Sequence, residues 1–196
     1  MLDLLAPARC ALCRSPGLGL CGSCGAALPP APAMAAPPGL DACWALLAYE
    51  DPVPQLVAAL KYRNHRDVLA VVAWALAVFV VRSPTPVDAV TWAPTSRSRR
   101  RARGYDQAEL LARAVARRAG VPAVGALRRL PGPPQTGADR AHRLRGPSFR
   151  AVGPVRGHVV VIDDVCTTGA TLGAAARALR DAGAVRTTGL VLAVRE

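Results

Sequence analysis

Hydrophobic and polar positions follow two rhythms along this chain. Cys43 to Tyr49, Val87 to Trp92, His158 to Ile162 and Thr187 to Val194 are short apolar runs, the third continuously β-branched after its histidine, and predict strands. Between them, Val53 to Tyr62, Asp67 to Val81, Tyr105 to Ala119 and Thr171 to Ala182 predict helices. Pro52 stands at the start of the first, and Leu110, Leu111, Ala114, Val115 and Arg118 fall at helical spacing in the third. Gly120 and Gly183 are placed to end the last two. The second helix contains the longest apolar run, Val68 to Val81, and predicts a mostly buried core helix. The run is short of the roughly 20 residues that span a bilayer. Strands alternating with helices predict an α/β fold with a parallel sheet flanked by helices.

The punctuation divides the chain into three parts. Residues 1–28 form a cysteine- and glycine-rich module, residues 29–41 a proline-rich linker, and residues 42–196 the main domain. Two stretches of the main domain carry no periodic pattern and read as loops. One is Thr95 to Arg103, with five arginines from Arg97 onward; the other is residues 131–157, rich in Pro, Gly and Arg. Met1 to Arg9 lacks the basic-then-apolar order of a signal peptide, which predicts a cytoplasmic protein with reduced thiols.

Composition sharpens this in two ways. Aromatics make up 4% of the residues against 52% hydrophobic overall, so the core must be built from Ala, Val and Leu. The formal net charge is +12 and Lys61 is the only lysine, so almost every cation is a guanidinium, a planar fork suited to phosphate. Such a surplus suits anionic partners, and it serves equally as a solubility charge.

Chemistry concentrates in the segment Val159-Val-Val-Ile-Asp-Asp-Val-Cys-Thr-Thr-Gly-Ala-Thr-Leu172. A buried strand delivers Asp163 and Asp164 to its carboxyl end, where open α/β sheets bind ligands. Thr167, Thr168, Gly169, Ala170 and Thr171 then form a tight turn, shared with Cys166, into a helix. Exposed N–H groups and the helix dipole make such a turn an anion site. Paired carboxylates beside an anion cradle are reconciled by a phosphorylated sugar, whose vicinal hydroxyls donate to the acids, with Mg²⁺ held directly or through water. The alternative for these residues is two solvated aspartates ahead of an ordinary capped turn. The segment lacks the G-K-[ST] of a P-loop and the G-x-G-x-x-G of a dinucleotide fold.

D-D-V-x-T-T-G-A-T after four apolar residues resembles the 5-phosphoribosyl 1-pyrophosphate signature of type I phosphoribosyltransferases. The resemblance implies that fold. It also implies ribose binding by Asp163 and Asp164, 5-phosphate binding by Thr167, Thr168, Gly169, Ala170 and Thr171, and Mg²⁺ as cofactor. In that family the loop comparable to Trp92-Ala-Pro-Thr-Ser-Arg97 binds pyrophosphate, which implies that role for Thr95, Ser96 and Arg97. Within the fold, Arg103-Gly-Tyr-Asp-Gln-Ala-Glu-Leu-Leu-Ala-Arg113 is similar to a block of the ComF family, associated with DNA uptake in competent bacteria. Leu60-Lys-Tyr-Arg-Asn-His-Arg-Asp67, Gln135-Thr-Gly137 and the cysteine module resemble that family too. The run His142-Arg-Leu-Arg-Gly-Pro-Ser-Phe149 departs from it by lacking an asparagine.

Cys10, Cys13, Cys21 and Cys24 stand as C-x2-C-x7-C-x2-C. Two such knuckles supply four thiolates to a structural Zn²⁺, with Gly17, Gly19, Gly22 and Gly25 allowing tight turns; two disulfides or an iron–sulfur cluster are the other options. Reduced thiols favour the zinc. Cys43 reads as core, and His65, His142 and His158 lack ligand spacing.

Two functions follow. The first is a phosphoribosyltransferase, in which a nitrogen nucleophile displaces Mg-pyrophosphate from the sugar's anomeric carbon; the sequence identifies no general base. The second is a non-catalytic accessory protein of natural transformation, in which the arginines hold single-stranded DNA alongside competence machinery proteins. Few aromatics argue against capture by stacking.

Overall fold

The structure, a computed structural model, describes residues 9–17, 19–61, 66–131 and 146–195. The motif positions Tyr62 to His65, Gln135-Thr-Gly137 and His142 to Arg145 lie outside the described residues. The elements in chain order are α1 (Gly22–Ala26), β1 (Ala42–Ala48), α2 (Val53–Leu60), α3 (Arg66–Val81), β2 (Ala89–Trp92), α4 (Arg97–Arg103), α5 (Gln107–Ala119), β3 (Leu127–Arg129), β4 (Phe149–Ala151), β5 (His158–Cys166), α6 (Ala170–Asp181) and β6 (Arg186–Val194).

Four strands form one parallel sheet in the order β1-β6-β5-β2. A parallel bridge from Val90 to Ala123 extends it beyond β2. After β2 the chain therefore passes through α5 to the outer side of β2, whereas after β5 it passes through α6 to β6 on the opposite side. The two connections leave in opposite directions, and the crevice between the carboxyl ends of β2 and β5 is a topological switch point.

Both faces of the sheet are covered, which is why its central strands are continuously apolar rather than alternating. Val160, Ile162, Leu190 and Leu192 point into a core shared with α2, α3 and α5. Val159, Val161 and Val191 point the other way, against Leu172, Ala175 and Leu179 of α6. Ala-rich helix faces allow close approach to the sheet, consistent with a core poor in aromatics. His158 is buried at the foot of β5: its Nε2 lies 2.9 Å from Thr188 Oγ1, and its backbone N donates to Asp88 Oδ2 at 2.7 Å.

The structure corrects four expectations. Arg97 to Arg103 is a helix, not a loop, because Ser96 caps it by accepting from Arg99 N (3.3 Å) and Gly104 ends it in the left-handed conformation (φ 78°). Within residues 131–157, Phe149–Ala151 pairs antiparallel with Leu127–Arg129. Strand β5 continues through both aspartates, so Cys166 is its last, buried residue and not part of the turn. Helix α3 buries Val68, Val72, Leu76 and Val80 but leaves Trp74 67% and Val81 66% exposed, because an outer-layer helix has only one stripe facing the sheet. Among the described residues no helix is long and apolar enough to cross a membrane.

The two N-terminal parts lie against the domain. Ala11, Leu12 and Leu20 of the cysteine module pack on the core around α3. Gly19 touches the α3 backbone so closely that a Cβ there would collide with Val68 N. The proline-rich stretch runs antiparallel beside β1, with Ala31 N donating to Leu46 O (3.1 Å) and Ala48 N to Pro29 O (3.0 Å).

Candidate functional site

Strand β5 carries Asp163 and Asp164 out to its carboxyl end, two residues short of Cys166. Asp163 Oδ1 accepts from Asp164 N, and Asp164 Oδ1 accepts from Val165 N, both at 2.9 Å. These local bonds fix the acids at the mouth of the crevice. Burial, and the negative charge of Asp164 alongside, push the Asp163 carboxyl well above the usual carboxylate range. Lys61, at the end of α2, places its Nζ 3.5 Å from Asp164 Oδ2. A hydrogen bond from Tyr105 Oη to Lys61 O, at 2.5 Å, fixes that lysine's backbone.

The acids open into a cavity of about 200 Å³. Thr95 comes to it from the β2 loop, Thr171 from the first turn of α6, and Lys61, Arg99, Arg103 and Arg129 supply four cations around the wall. Four cations against Asp163, Asp164 and Asp106 leave the cavity net positive, a field that suits an anion. Arg129 lies over the Phe149 ring at 5.8 Å, and burial together with the Arg99 charge lowers its pKa. Arg99 and Arg103 share one face of α4 as an i, i+4 pair; Arg97 and Arg100 face elsewhere.

Of the expected site residues, Thr95, Asp163, Asp164 and Thr171 meet in this cavity. Ser96 and Arg97 line a neighbouring groove of about 840 Å³, together with Arg100, Arg128 and Arg129. Thr167 and Thr168 are exposed on the turn, and Thr168 Oγ1 accepts from Ala170 N at 3.4 Å. Gly169 is the N-cap of α6 in the left-handed region (φ 70°), and a Cβ there would lie 2.5 Å from the Pro37 side chain. Both conditions require glycine. The turn hands α6, a helix of 12 residues, an open amino end facing the same edge of the sheet as the aspartates.

The sequence reading missed the residue that holds this loop in place. Asp106 is 4% exposed and commits both carboxylate oxygens to backbone N–H groups. Oδ2 accepts from Thr95 N at 2.8 Å; Oδ1 accepts from Ala108 N at 3.1 Å and Glu109 N at 3.5 Å, capping α5. One side chain thus clamps the β2 loop to the α5 amino end. The signal was present, since Asp106-Gln-Ala-Glu109 has the spacing of a capping box.

The cysteine module fits a tetrahedral metal. Sγ atoms of Cys10, Cys13, Cys21 and Cys24 all lie within 4.8 Å of one another, and Cys13 Sγ to Cys21 Sγ is 3.7 Å. A Zn–S bond of ~2.3 Å gives a tetrahedral edge of ~3.8 Å, so the spacing needs little adjustment. Burial opposes ionisation of Cys10, but N–H groups of Cys21, Cys13 and Leu12 outweigh it and bring the thiol down to about 6. Hydrogen bonds with Cys21 and Cys13 push Cys24 up to about 12. Four thiolates this close repel one another, and a dication at their centre is what lets all four ionise. Gly22 and Gly25 lie within α1 rather than in turns, and Gly19 serves the approach to α3.

No protein-family model matches the chain, and no curated protein matches it at a significant level. Among solved structures it is similar to the glutamine phosphoribosylpyrophosphate amidotransferase from B. subtilis complexed with ADP and GMP. That likeness has 22% identity over 69% of this chain and 30% of that one, with a TM-score of 0.46. It is also similar to an allosteric regulatory enzyme of purine biosynthesis, at 24% identity over 64% of this chain and 26% of that one, with a TM-score of 0.44. The chain spans less than a third of either protein's length, and a likeness this loose assigns neither substrate nor activity to it.

Proposed function

We propose that this is a type I phosphoribosyltransferase-like protein that binds 5-phosphoribosyl 1-pyrophosphate with Mg²⁺. The observation that carries the reading is the meeting of Asp163 and Asp164 with Thr95, Thr171 and four cations in one switch-point cavity. In this reading the two acids accept hydrogen bonds from the ribose hydroxyls and, with the sugar, hold Mg²⁺. The turn Thr167 to Thr171 takes the 5-phosphate on its N–H groups and hydroxyls. Thr95, Ser96 and Arg97, backed by Arg99 and Arg103, take the pyrophosphate. The residues present suit displacement at the anomeric carbon by positioning and by stabilising charge on the departing pyrophosphate. Zinc in the four-cysteine module would be structural, since all four positions are protein thiolates.

Calorimetric titration with the pyrophosphorylated sugar and Mg²⁺ tests this. Saturable binding at one site per chain, lost in the Asp163→Asn, Asp164→Asn double variant, is the expected result. Equal binding by that variant defeats the reading.

The arginine-lined groove favours a second reading, a surface for single-stranded DNA, in keeping with the ComF resemblance and its link to competence machinery. Arg97, Arg100 and Arg128 would contact phosphates, so affinity would fall steeply with salt. The same double variant should keep this binding if the two sites are distinct.

A further inference from the structure

Gln107 opens α5 directly after the Asp106 clamp, and it is one of the residues around the cavity that holds the paired aspartates. It is only 5% exposed, and its Oε1 has no hydrogen-bond partner among the described residues. A buried amide oxygen without a donor destabilises the fold. A methionine or leucine of similar volume would avoid that cost. A polar side chain in such a position needs a reason beyond packing. The clamp itself supplies none, because both oxygens of Asp106 are already committed to Thr95, Ala108 and Glu109.

The surroundings specify which donor would suit Oε1. Phosphate and pyrophosphate present acceptors at neutral pH, so they are matched by Lys61, Arg99, Arg103 and Arg129 and not by a carbonyl oxygen. A metal ion or an ammonium group would be drawn to Asp163 and Asp164 in preference to a neutral amide. On a ligand that the arginines hold by its phosphates, the neutral donor belonging to the same molecule is a sugar hydroxyl. We infer that Gln107 is a specificity-determining residue whose Oε1 accepts a hydrogen bond from a ligand hydroxyl, so that the cavity distinguishes a phosphorylated sugar from a bare phosphate anion. The inference rests on the phosphoribosyl reading and adds to it a third acceptor besides the two acids.

The test compares two ligands on two proteins. Ribose 5-phosphate and inorganic pyrophosphate, each with Mg²⁺, are titrated into the wild-type chain and into Gln107→Met, and both proteins are melted without ligand. Loss of one hydrogen bond should weaken ribose 5-phosphate about tenfold while leaving pyrophosphate within about twofold. The melting temperature of the variant should equal or exceed that of the wild type, because the substitution removes an unsatisfied oxygen. Three results overturn the inference alone. They are an unchanged preference for the sugar, an equal loss for both ligands, and a melting temperature lowered by several degrees or a variant that does not fold; the last would make the amide a structural bond. Failure of the wild type to bind ribose 5-phosphate overturns the inference together with the reading on which it rests.

Discussion

Replacing Asp106 by alanine should separate the β2 loop from α5 and cost the protein about 3 kcal/mol. One oxygen caps a helix, a role worth ~0.5–2 kcal/mol, and the other accepts a charge-assisted bond from a loop N–H, worth ~1.5–3 kcal/mol. With an unfolding entropy of about 2.1 cal/mol/K per residue over 196 residues, 3 kcal/mol lowers the melting temperature by about 7 °C. Asp106→Asn is the sharper test. An asparagine keeps one acceptor oxygen and turns the other into a donor. It can cap α5 or hold Thr95 N, but not both. Its loss should be about half that of alanine, ~3–4 °C, with the helix cap kept and the loop released. Differential scanning calorimetry gives the two shifts, and amide hydrogen exchange reads the loop directly: protection at Thr95 should fall in Asp106→Asn while Ala108 and Glu109 stay protected. An asparagine variant that melts with the wild type and keeps Thr95 protected would refute the two-handed role assigned to this carboxylate.

Two further outcomes follow from the electrostatics and the cysteines. Because the folded-state pKa of Asp163 is raised, its charge costs stability as pH climbs above the unfolded carboxylate value and costs nothing below it. Asp163→Asn should therefore melt higher than the wild type at pH 7, with the gap closing below about pH 4, in melts across a pH series; a gap independent of pH refutes the cause. The purified protein should carry one zinc per chain by elemental analysis. Chelation should lower its melting temperature by about 6 °C or more, because Ala11, Leu12 and Leu20 anchor the module on the main core; melting unaffected by chelation would count against this.

Long uniform patterns were the legible part of this chain. The β-branched run from His158 through Ile162 reads as a central strand buried on both faces, and Thr171 to Ala182 as a helix, and both are observed. Their order alone puts two aspartates and a glycine turn at a sheet's carboxyl end. What escaped was information spread over distant residues. Nothing near Thr95 announces that its N–H is claimed by a carboxylate eleven positions later. The second half of the site wall, Arg129, belongs to a strand of three residues whose partner lies twenty positions on, and neither strand is long enough to show alternation. Arginine misled in another way. A run such as Arg97 to Arg103 looks like a solvated loop by charge, although arginine is a good helix former and Ser96 and Gly104 bracket it as caps. The exposed side of α3 was hidden for the opposite reason: a helix apolar on every face does not say which face turns outward.

The proline-rich stretch along β1 also governs how the protein behaves in a crowded solution. An uncovered outer strand is a template on which a second chain can add its own strand and start a fibre. Here that flank is occupied by a segment in which Pro29, Pro30 and Pro32 have no N–H to offer a newcomer, so ladder growth stops at the first added row. The sheet is thus sealed on this side by its own chain, and a low-complexity stretch serves as a protective cover against self-association.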